Sequence, residues 1–417
     1  MESRKIPVDI VDSEGFRLDV CAGLRQRQRS IPPKYFYDAQ GSALFEQICE
    51  TAEYYLTRTE TAILDEHSAE MMGLIGQPCA FVEFGCGSAA KTPLLLRHLD
   101  SSSVCVLIDI CKPQLEQTEA RLAAQFPNIK ILAVCADYTQ LQALPLPVSC
   151  DLRPVIFFPG STIGNYTPEE AQHLLRKAAK LIGPNGSMLI GVDCKKDPAV
   201  LNAAYNDKTG LTKAFNLNLL ARMERELGAE IEPDGLINNA FYNPVPGRVE
   251  MHLVSRFDQV IHLSGEEFWI GEGESIQTEN SYKYRPDEFQ DLARSAGWDT
   301  AMVWTDADKY FSIHLLQVSR IIIDRPQLGL RRKMRKLSEY VEMAASEYLQ
   351  ETGKAELNAH WIAEFFQDNG VQDDYPRQDL IAFCALVQKA LTIKFERARK
   401  QTLLQLDKAI RPISKTR

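Results

Sequence analysis

The 417-residue chain has no uninterrupted apolar run approaching the roughly 18 residues that a membrane-spanning helix needs. Val155-Ile-Phe-Phe158 and Leu94-Leu-Leu96 show the usual length, so no membrane association is expected. It has no CxxC pair and no Cys/His ladder. Its ten cysteines are scattered through otherwise apolar segments, Cys79, Cys105, Cys135, Cys194 and Cys384 among them, so neither a disulfide framework nor a metal site is expected. The opening residues, Met1-Glu-Ser-Arg-Lys5, lead into polar sequence without the apolar run of a secretory signal, and a cytoplasmic location is expected. Basic residues are in deficit, 47 Lys+Arg against 56 Asp+Glu, for a formal net charge of -9. That balance argues against nucleic acid as a partner of the whole chain, since neutralising phosphates requires a basic surface. What is present is a globular composition, 45% hydrophobic and 25% charged, with length enough for two or three domains.

The charge is unevenly placed. Residues 325–417 carry 17 basic and 12 acidic side chains, leaving the acidic excess to the first 324 residues. That tail lacks strand-like runs and reads as helices with apolar residues three and four apart: Met334, Leu337, Tyr340 and Val341; Trp361, Phe365 and Phe366; Ile381, Leu386, Leu391 and Phe395; Leu403 and Leu404. Its basic opening, Arg331-Arg-Lys-Met-Arg-Lys336, reads as a solvated helix face, with contact to an acidic partner as the alternative. Between residues 80 and 195 short β-branched or apolar runs alternate with segments of helical period. The runs are Ala80-Phe-Val-Glu-Phe84, Val104-Cys-Val-Leu-Ile108, Ile129-Lys-Ile-Leu-Ala-Val134, Pro154-Val-Ile-Phe-Phe158 and Ser187-Met-Leu-Ile-Gly-Val192. After Val192 the order breaks. Residues 197–227 look helical, strands resume at residues 248–254 and 260–263, and the α/β pattern returns with a helix at 286–296 and strands at 300–304 and 311–318. The expectation is an α/β fold with a seven-stranded, Rossmann-like sheet that ends in an antiparallel hairpin at its edge, an inserted domain and a helical C-terminal appendix.

Glu83-Phe-Gly-Cys-Gly-Ser-Ala-Ala-Lys-Thr92 follows the first run and precedes a helix. Two glycines at a strand end let the backbone turn sharply and approach a ligand with no Cβ in the way. The third glycine of the dinucleotide fingerprint is missing, and no GxxxxGK[ST] phosphate loop occurs. Asp109 ends the second run, where a carboxylate accepts from both hydroxyls of a ribose, and Asp137 follows the third, where it accepts from an adenine amino group. A glycine loop and two acids at successive strand ends describe an adenosine site, and the missing diphosphate machinery favours S-adenosylmethionine over NAD. Tight turns with ordinary strand-terminal aspartates are the alternative.

Four further blocks make the chain resemble the histidine Nα-methyltransferases of the ergothioneine pathway. They are Ile31-Pro-Pro-Lys-Tyr-Phe-Tyr-Asp-Ala-Gln-Gly-Ser-Ala-Leu-Phe45 with Glu53-Tyr-Tyr-Leu-Thr-Arg-Thr-Glu60; Gly160-Ser-Thr-Ile-Gly-Asn165; Ala214-Phe-Asn-Leu-Asn-Leu219; and Gly273-Glu-Ser-Ile-Gln-Thr-Glu-Asn-Ser-Tyr-Lys-Tyr284. The resemblance covers about residues 20 to 320. It implies a methyltransferase core at residues 62–196 plus 285–322, a substrate domain at 15–61 plus 197–284, and a helical extension at 323–417 with no counterpart in the compact bacterial members. It implies S-adenosylmethionine as cofactor, held by Gly85, Gly87, Lys91, Asp109, Asp137 and Tyr138. It implies Tyr54, Asn165 and Tyr205 at the amino and carboxylate groups of the substrate, Glu279 and Ser281 at its imidazole, Tyr37 and Phe45 as walls, and Met251 beside the imidazole. Cys86, Gln277 and Ala52 differ from the commoner family residues.

The reaction so implied is Nα-methylation of L-histidine, to the trimethylated betaine hercynine, driven by alignment and with no acid–base residue assigned. The alternatives are methylation of another amine, such as tryptophan or a prenylated tryptophan, and a non-catalytic S-adenosylmethionine-binding scaffold. A small amino acid is the expected partner, and the C-terminal extension is a candidate for self-association.

Overall fold

Parallel strands covered on both faces are buried along their whole length, and three strands of the main sheet in the first unit follow that rule. The computed structural model describes residues 13–147, 152–232 and 234–319 and, further on, 336–352, 356–358, 361–362, 365–366, 371, 375 and 379–410. The chain forms two compact units, Met1–Arg325 and Pro326–Arg417. The strands of the first unit, in chain order, are β1 (Arg29–Ser30), β2 (Cys79–Phe84), β3 (Val104–Asp109), β4 (Lys130–Cys135), β5 (Arg153–Phe158), β6 (Ser187–Asp193), β7 (Leu236–Asn243), β8 (Arg248–Ser255), β9 (Gln259–Leu263), β10 (Glu266–Ile270), β11 (Ser275–Tyr282), β12 (Trp298–Thr305) and β13 (Phe311–Val318). Its helices are α1 (Ser13–Leu24), α2 (Ala39–Glu50), α3 (Tyr55–Ile75), α4 (Pro93–Leu96), α5 (Lys112–Gln125), α6 (Pro168–Ile182), α7 (Pro198–Ala204), α8 (Leu211–Leu227) and α9 (Pro286–Ser295).

Seven strands form the main sheet in the order β12-β13-β6-β5-β2-β3-β4. β2, β3 and β6 are buried at every position. Side chains of β2 alternate between two core layers: Cys79 and Phe81 join the layer of Ile63, Leu64 and Met71, while Ala80, Val82 and Phe84 join that of Leu174, Leu175 and Trp298. β2 pairs in parallel with β3 on one side and β5 on the other. The winding therefore reverses between β2 and β5, and the C-terminal ends of these strands open the crevice where ligands of such sheets sit. The terminal hairpin does lie at the edge, but its second strand turns inward. β13 runs antiparallel between β6 and β12, because β13 is buried at seven of its eight positions whereas β12 exposes Asp299, Ala301 and Met302.

A second sheet, in the order β1-β11-β8-β7, comes from the N-terminal segment and the insertion. β8 and β9 were legible in the sequence. β7, β10 and β11 were not, since Asn238, Asn239, Gln277, Glu279 and Asn280 interrupt any β-branched run. α2 begins at the Asp38 cap, which accepts from Gly41 N at 2.7 Å. The same carboxylate accepts from Asn218 of α8 at 2.9 Å, and Phe36 packs on Phe215 with ring centroids 4.6 Å apart. The N-terminal segment is thereby fastened to the insertion.

In the second unit, α10 (Leu337–Thr352) and α11 (Leu380–Ile410) enclose an apolar cluster. Tyr340, Ala344 and Tyr348 meet Phe383, Val387 and Leu391, each set at four-residue spacing. The expected face of α11 is corrected here. Ile381 is 83% exposed, with Leu386 and Phe395 also on the surface, because the bulkier Phe383 begins the stripe that turns inward. Met334, the basic run 331–335, the side chains of Leu403 and Leu404, and the expected division at residue 322 lie outside the described residues.

Candidate active site

The loop after β2 is shaped by Gly85 and Gly87, both in the left-handed region at φ 64° and 51°. Gly85 N and Cys86 N donate to Ile108 O at 2.9 and 3.1 Å, which ties the loop to the end of β3. Asp109 sits at that end. Its Oδ2 accepts from Gly87 N and its Oδ1 from Cys111 N, both at 2.8 Å. Burial raises its pKa, and these backbone donors oppose the shift. Backbone N–H groups of Gly87, Ile110 and Cys111 act on this carboxylate, and its roughly four acceptor sites are not all used.

Asp137 caps the turn after β4, with Oδ1 accepting from Thr139 N at 2.8 Å and Thr139 Oγ1 at 2.6 Å. Its other oxygen has no protein partner among the described residues. Tyr138 stacks on Phe84 with centroids 5.3 Å apart and donates to, or accepts from, the Tyr166 hydroxyl at 2.9 Å. A Cβ at Gly85 would come 3.5 Å from the Tyr138 ring. Lys91 pairs with the fully buried Glu60, whose carboxylate also receives Gly160 N at 2.9 and 3.0 Å. Glu83 lies beneath the loop and accepts from Thr92 Oγ1 at 2.5 Å, and burial pushes its pKa up to about 8. Glu60 therefore ties the loop after β2 to the turn after β5, while Glu83 braces the β2 loop from within through Thr92, roles the sequence did not disclose. These groups fit an adenosine: two acids with spare acceptors and a loop that lacks a Cβ at Gly85 and Gly87.

The turn after β5 carries Ser161 at φ 57°, a left-handed conformation uncommon for a residue with a Cβ. Its Oγ accepts from Asp193 N at 2.9 Å. A Cβ at Gly164 would lie 2.7 Å from Tyr282 O, so glycine is what lets this turn rest against β11. Asn165 ends the turn. The cap of α6 is Thr167, in a capping box with Glu170, and the Asn165 amide makes no hydrogen bond to the described protein. Its donor and acceptor are both free for a ligand.

Glu279 and Ser281 of β11, and Lys283 just past its end, fall at alternating positions. The register shifts between Gln277 and Glu279, which places Glu279 opposite Met251 and Ser281 opposite Val249 on β8. Thr278 Oγ1 donates to Asn216 Oδ1 at 2.7 Å, and Asn216 donates to Asn238 Oδ1 at 2.8 Å and His252 O at 3.2 Å, which holds the irregularity from α8. The Glu279 carboxylate has no hydrogen-bond partner among the described residues. Burial pushes its pKa up to about 7, against the pull of the Lys283 ammonium.

An aromatic chain closes the opposite side. Tyr37 meets Phe45 at 5.7 Å between centroids, Phe45 meets Tyr54 at 6.1 Å, and Tyr54 meets Tyr205 at 6.2 Å. Phe215, which the sequence did not single out, packs on both Tyr37 and Phe45. The Tyr205 hydroxyl donates to Ser281 Oγ at 2.7 Å, and those of Tyr37 and Tyr54 have no protein partner among the described residues. The eight substrate-side residues expected from sequence are thus drawn together from the N-terminal segment, the β5 turn, α7's end and the second sheet. Behind them lies a buried cluster that was missed: Asp193, Lys196, Lys283 and Tyr55. The period-two spacing from Glu279 through Ser281 to Lys283 is the one signal that pointed to it.

Among the described residues, no group of three or more His, Cys, Asp or Glu side chains is arranged to hold a metal ion, and no helix is long and apolar enough to cross a membrane. The family of histidine-specific, S-adenosylmethionine-dependent methyltransferases matches residues 16–318. Over 308 residues the chain is 37% identical to a histidine N-alpha-methyltransferase of Mycolicibacterium smegmatis, covering 73% of this chain and 95% of that protein. A histidine N-alpha-methyltransferase of Mycobacterium tuberculosis is 36% identical, with 72% and 94% covered. Ergothioneine biosynthesis protein 1 of Neurospora crassa is 32% identical over 77% of this chain, which spans 36% of that longer protein.

Proposed function

The chain belongs to the histidine-specific, S-adenosylmethionine-dependent methyltransferase family, and on that premise we propose that it methylates the α-amino nitrogen of L-histidine up to the trimethylated betaine, hercynine, in an ergothioneine-type pathway. Residues 62–196 with 285–322 serve the cofactor in this reading, and residues 15–61 with 197–284 serve the substrate. The observation that carries it is the single face of β11 and β8 on which the unpaired Glu279 carboxylate, Ser281 and Met251 stand together, opposite the Tyr37–Phe45–Tyr54–Tyr205 wall.

S-adenosylmethionine, when bound, supplies a methyl group already activated on a sulfonium. The protein's part is alignment, with the amine brought to about 3 Å from the carbon it attacks. Asn165 offers an acceptor to the amine and a donor to the carboxylate from one side chain. Tyr54 and Tyr205 add hydroxyls without adding charge, and Glu279 accepts from the ring N–H. The amine attacks in its neutral form. The α-amino group of a free amino acid is mostly protonated near neutrality, and a closed, apolar-walled site disfavours its charged form. Each transfer releases a proton, and the growing methylammonium is received by the aromatic faces of Tyr37, Phe45 and Tyr54, which attract cations. A trimethylated amine has no lone pair left, so the reaction stops there.

Nine described cysteines are free thiols, which supports a reducing, cytoplasmic setting. Ile381, Leu386, Ile393 and Phe395 on the surface of α11 support self-association through the C-terminal unit, which sedimentation of the full chain checks. The activity is tested by incubation with S-adenosylmethionine and each of the twenty amino acids, read by mass. Three methyl increments on histidine are expected. Increments on a different amino acid and none on histidine would sink the reading, and a reaction ending at one or two would remove the betaine.

A further inference from the structure

Lys283 is 1% exposed and stands just past the end of β11, two and four positions beyond Ser281 and Glu279 and continuing their alternation. An ammonium group donates three hydrogen bonds and accepts none, and here all three have takers. They are Asp193 Oδ2 at 2.7 Å, Ser281 Oγ at 2.8 Å and the Tyr205 hydroxyl at 3.0 Å. Tyr205 passes its own hydrogen to Ser281 Oγ at 2.7 Å. Two donors therefore occupy both acceptor sites of Ser281 Oγ, and no acceptor among the described residues takes the serine's hydrogen.

Asp193 has a cation without Lys283. Lys196 Nζ lies 2.5 Å from Oδ1, and the Tyr55 hydroxyl donates to the carboxylate at 2.8 Å. A second buried ammonium is a cost unless something on the site's side uses it. Burial works to lower the Lys283 pKa, but Asp193 outweighs it and the pKa is raised, so the group stays a donor on all three sides.

We propose that Lys283 is a positioning residue that sets substrate specificity: by donating to Ser281 and Tyr205 it turns the Ser281 hydrogen toward the substrate ring. The slot then asks for a ring with an N–H facing Glu279 and a lone pair facing Ser281, which neutral imidazole has. This inference rests on the histidine reading above and deepens it. A pyrrole ring keeps the N–H and lacks the lone pair, so it leaves the Ser281 hydrogen buried without an acceptor, and a site built this way rejects it. Without the ammonium, Ser281 is free to donate back to Tyr205, and the discrimination fades.

The test measures kcat and KM for histidine and for the 2-pyrrolyl and 3-pyrrolyl alanines, which keep the N–H at one or the other of the two ring-nitrogen positions. The unaltered protein should prefer histidine by at least about ten-fold in kcat/KM, chiefly through KM. Lys283→Met should reduce that ratio about ten-fold with cofactor affinity unchanged. Ser281→Ala should reduce it equally, and the double variant should add nothing, the mark of one residue acting through another. Equal use of histidine and a pyrrole analogue by the unaltered protein overturns the inference without recourse to any variant. A Lys283→Met protein that loses stability or activity on all substrates in proportion, with the ratio intact, overturns it as well and leaves Lys283 a structural ion. No turnover of histidine by the unaltered protein defeats the reading beneath, and this one with it.

Discussion

Glu279 and Met251 are directly opposed across the β11–β8 ladder. The register shift between Gln277 and Glu279 puts an unpaired carboxylate and an apolar thioether on the same face. In the proposed reading, one side chain sets a polar requirement on the substrate ring and the other limits its volume. The pair sits on paired strands and Asn165 on a turn packed against one of them, so the proposal assigns ring recognition and amine placement to different parts of the chain and makes them separable by mutation.

Asn165→Ala should lower kcat/KM for histidine by at least about 100-fold. Its amide caps no helix, since Thr167 does that, so folding stability should change by no more than about 0.5 kcal/mol and affinity for S-adenosylmethionine should hold. Calorimetric titration of the cofactor alongside steady-state kinetics decides the matter. A joint fall of both affinities would make Asn165 a structural residue.

Asp109→Ala should weaken S-adenosylmethionine binding by roughly 1–3 kcal/mol, and NAD should not bind with comparable strength to either protein. The same carboxylate receives Gly87 N and Cys111 N, so the variant should also melt earlier. Asp109→Asn, which keeps an acceptor, should fall between the two in both measurements. Full cofactor affinity in Asp109→Ala would remove the ribose assignment.

The β2–β6 half of the main sheet and its glycine loop were readable because buried parallel strands leave unbroken apolar runs and because Gly85, Gly87, Asp109 and Asp137 fall at strand ends. β7 and β11 were unreadable for the complementary reason. In β11, Glu279 and Ser281 occupy a face that would be apolar if it met only protein, so the residues proposed to meet the substrate erase the alternation by which a strand is recognised. Asp193 and Lys283 are ninety positions apart, and no local pattern reports their pairing. On α11 two apolar stripes compete, and spacing alone does not choose Phe383, Val387 and Leu391 over Ile381, Leu386 and Phe395.

Glu83 should make stability fall as pH rises. Its pKa is about 8 in the folded protein against about 4.3 unfolded, so between these values the native state binds more protons than the unfolded one. The penalty is absent below about pH 4 and complete above about pH 8. Glu83→Gln keeps an acceptor for Thr92 and removes the titration. Urea unfolding at pH 5 and pH 9 should show the parent losing on the order of 3–5 kcal/mol more than the variant; parallel pH dependences would refute this.

Glu279, raised to about 7 by burial, should impose an acid limb on kcat/KM for histidine, because the carboxylate accepts best from the ring N–H once ionised. Activity should rise through neutrality as the proton leaves. In Glu279→Gln that limb should vanish, leaving only the titrations of the substrate, which are common to both enzymes. An unaltered profile in the variant would mean that the limb belongs to another group.

Selectivity is the sharpest consequence of the opposed pair. Glu279→Ala deletes the acceptor that histidine's ring N–H would otherwise find, at a cost of about 1–3 kcal/mol to that substrate. Met251→Val, one position across the ladder, frees volume beside it. Met251 is 1% exposed, so the change frees volume inside the protein rather than at its surface. Together the two changes should cost most of the activity on histidine and admit a larger aromatic amino acid such as tryptophan. Neither change should disturb the amine clamp at Asn165, Tyr54 and Tyr205, so the methyl group should still be delivered to an α-amino nitrogen. The measurement is the ratio of kcat/KM for histidine to that for tryptophan, in the parent, in each single variant and in the double. A fall in the double exceeding the product of the singles is expected, since a ring too large to enter gains nothing from losing the carboxylate alone. An unchanged ratio, or a parent that already prefers tryptophan, would show that these two residues do not line the substrate ring.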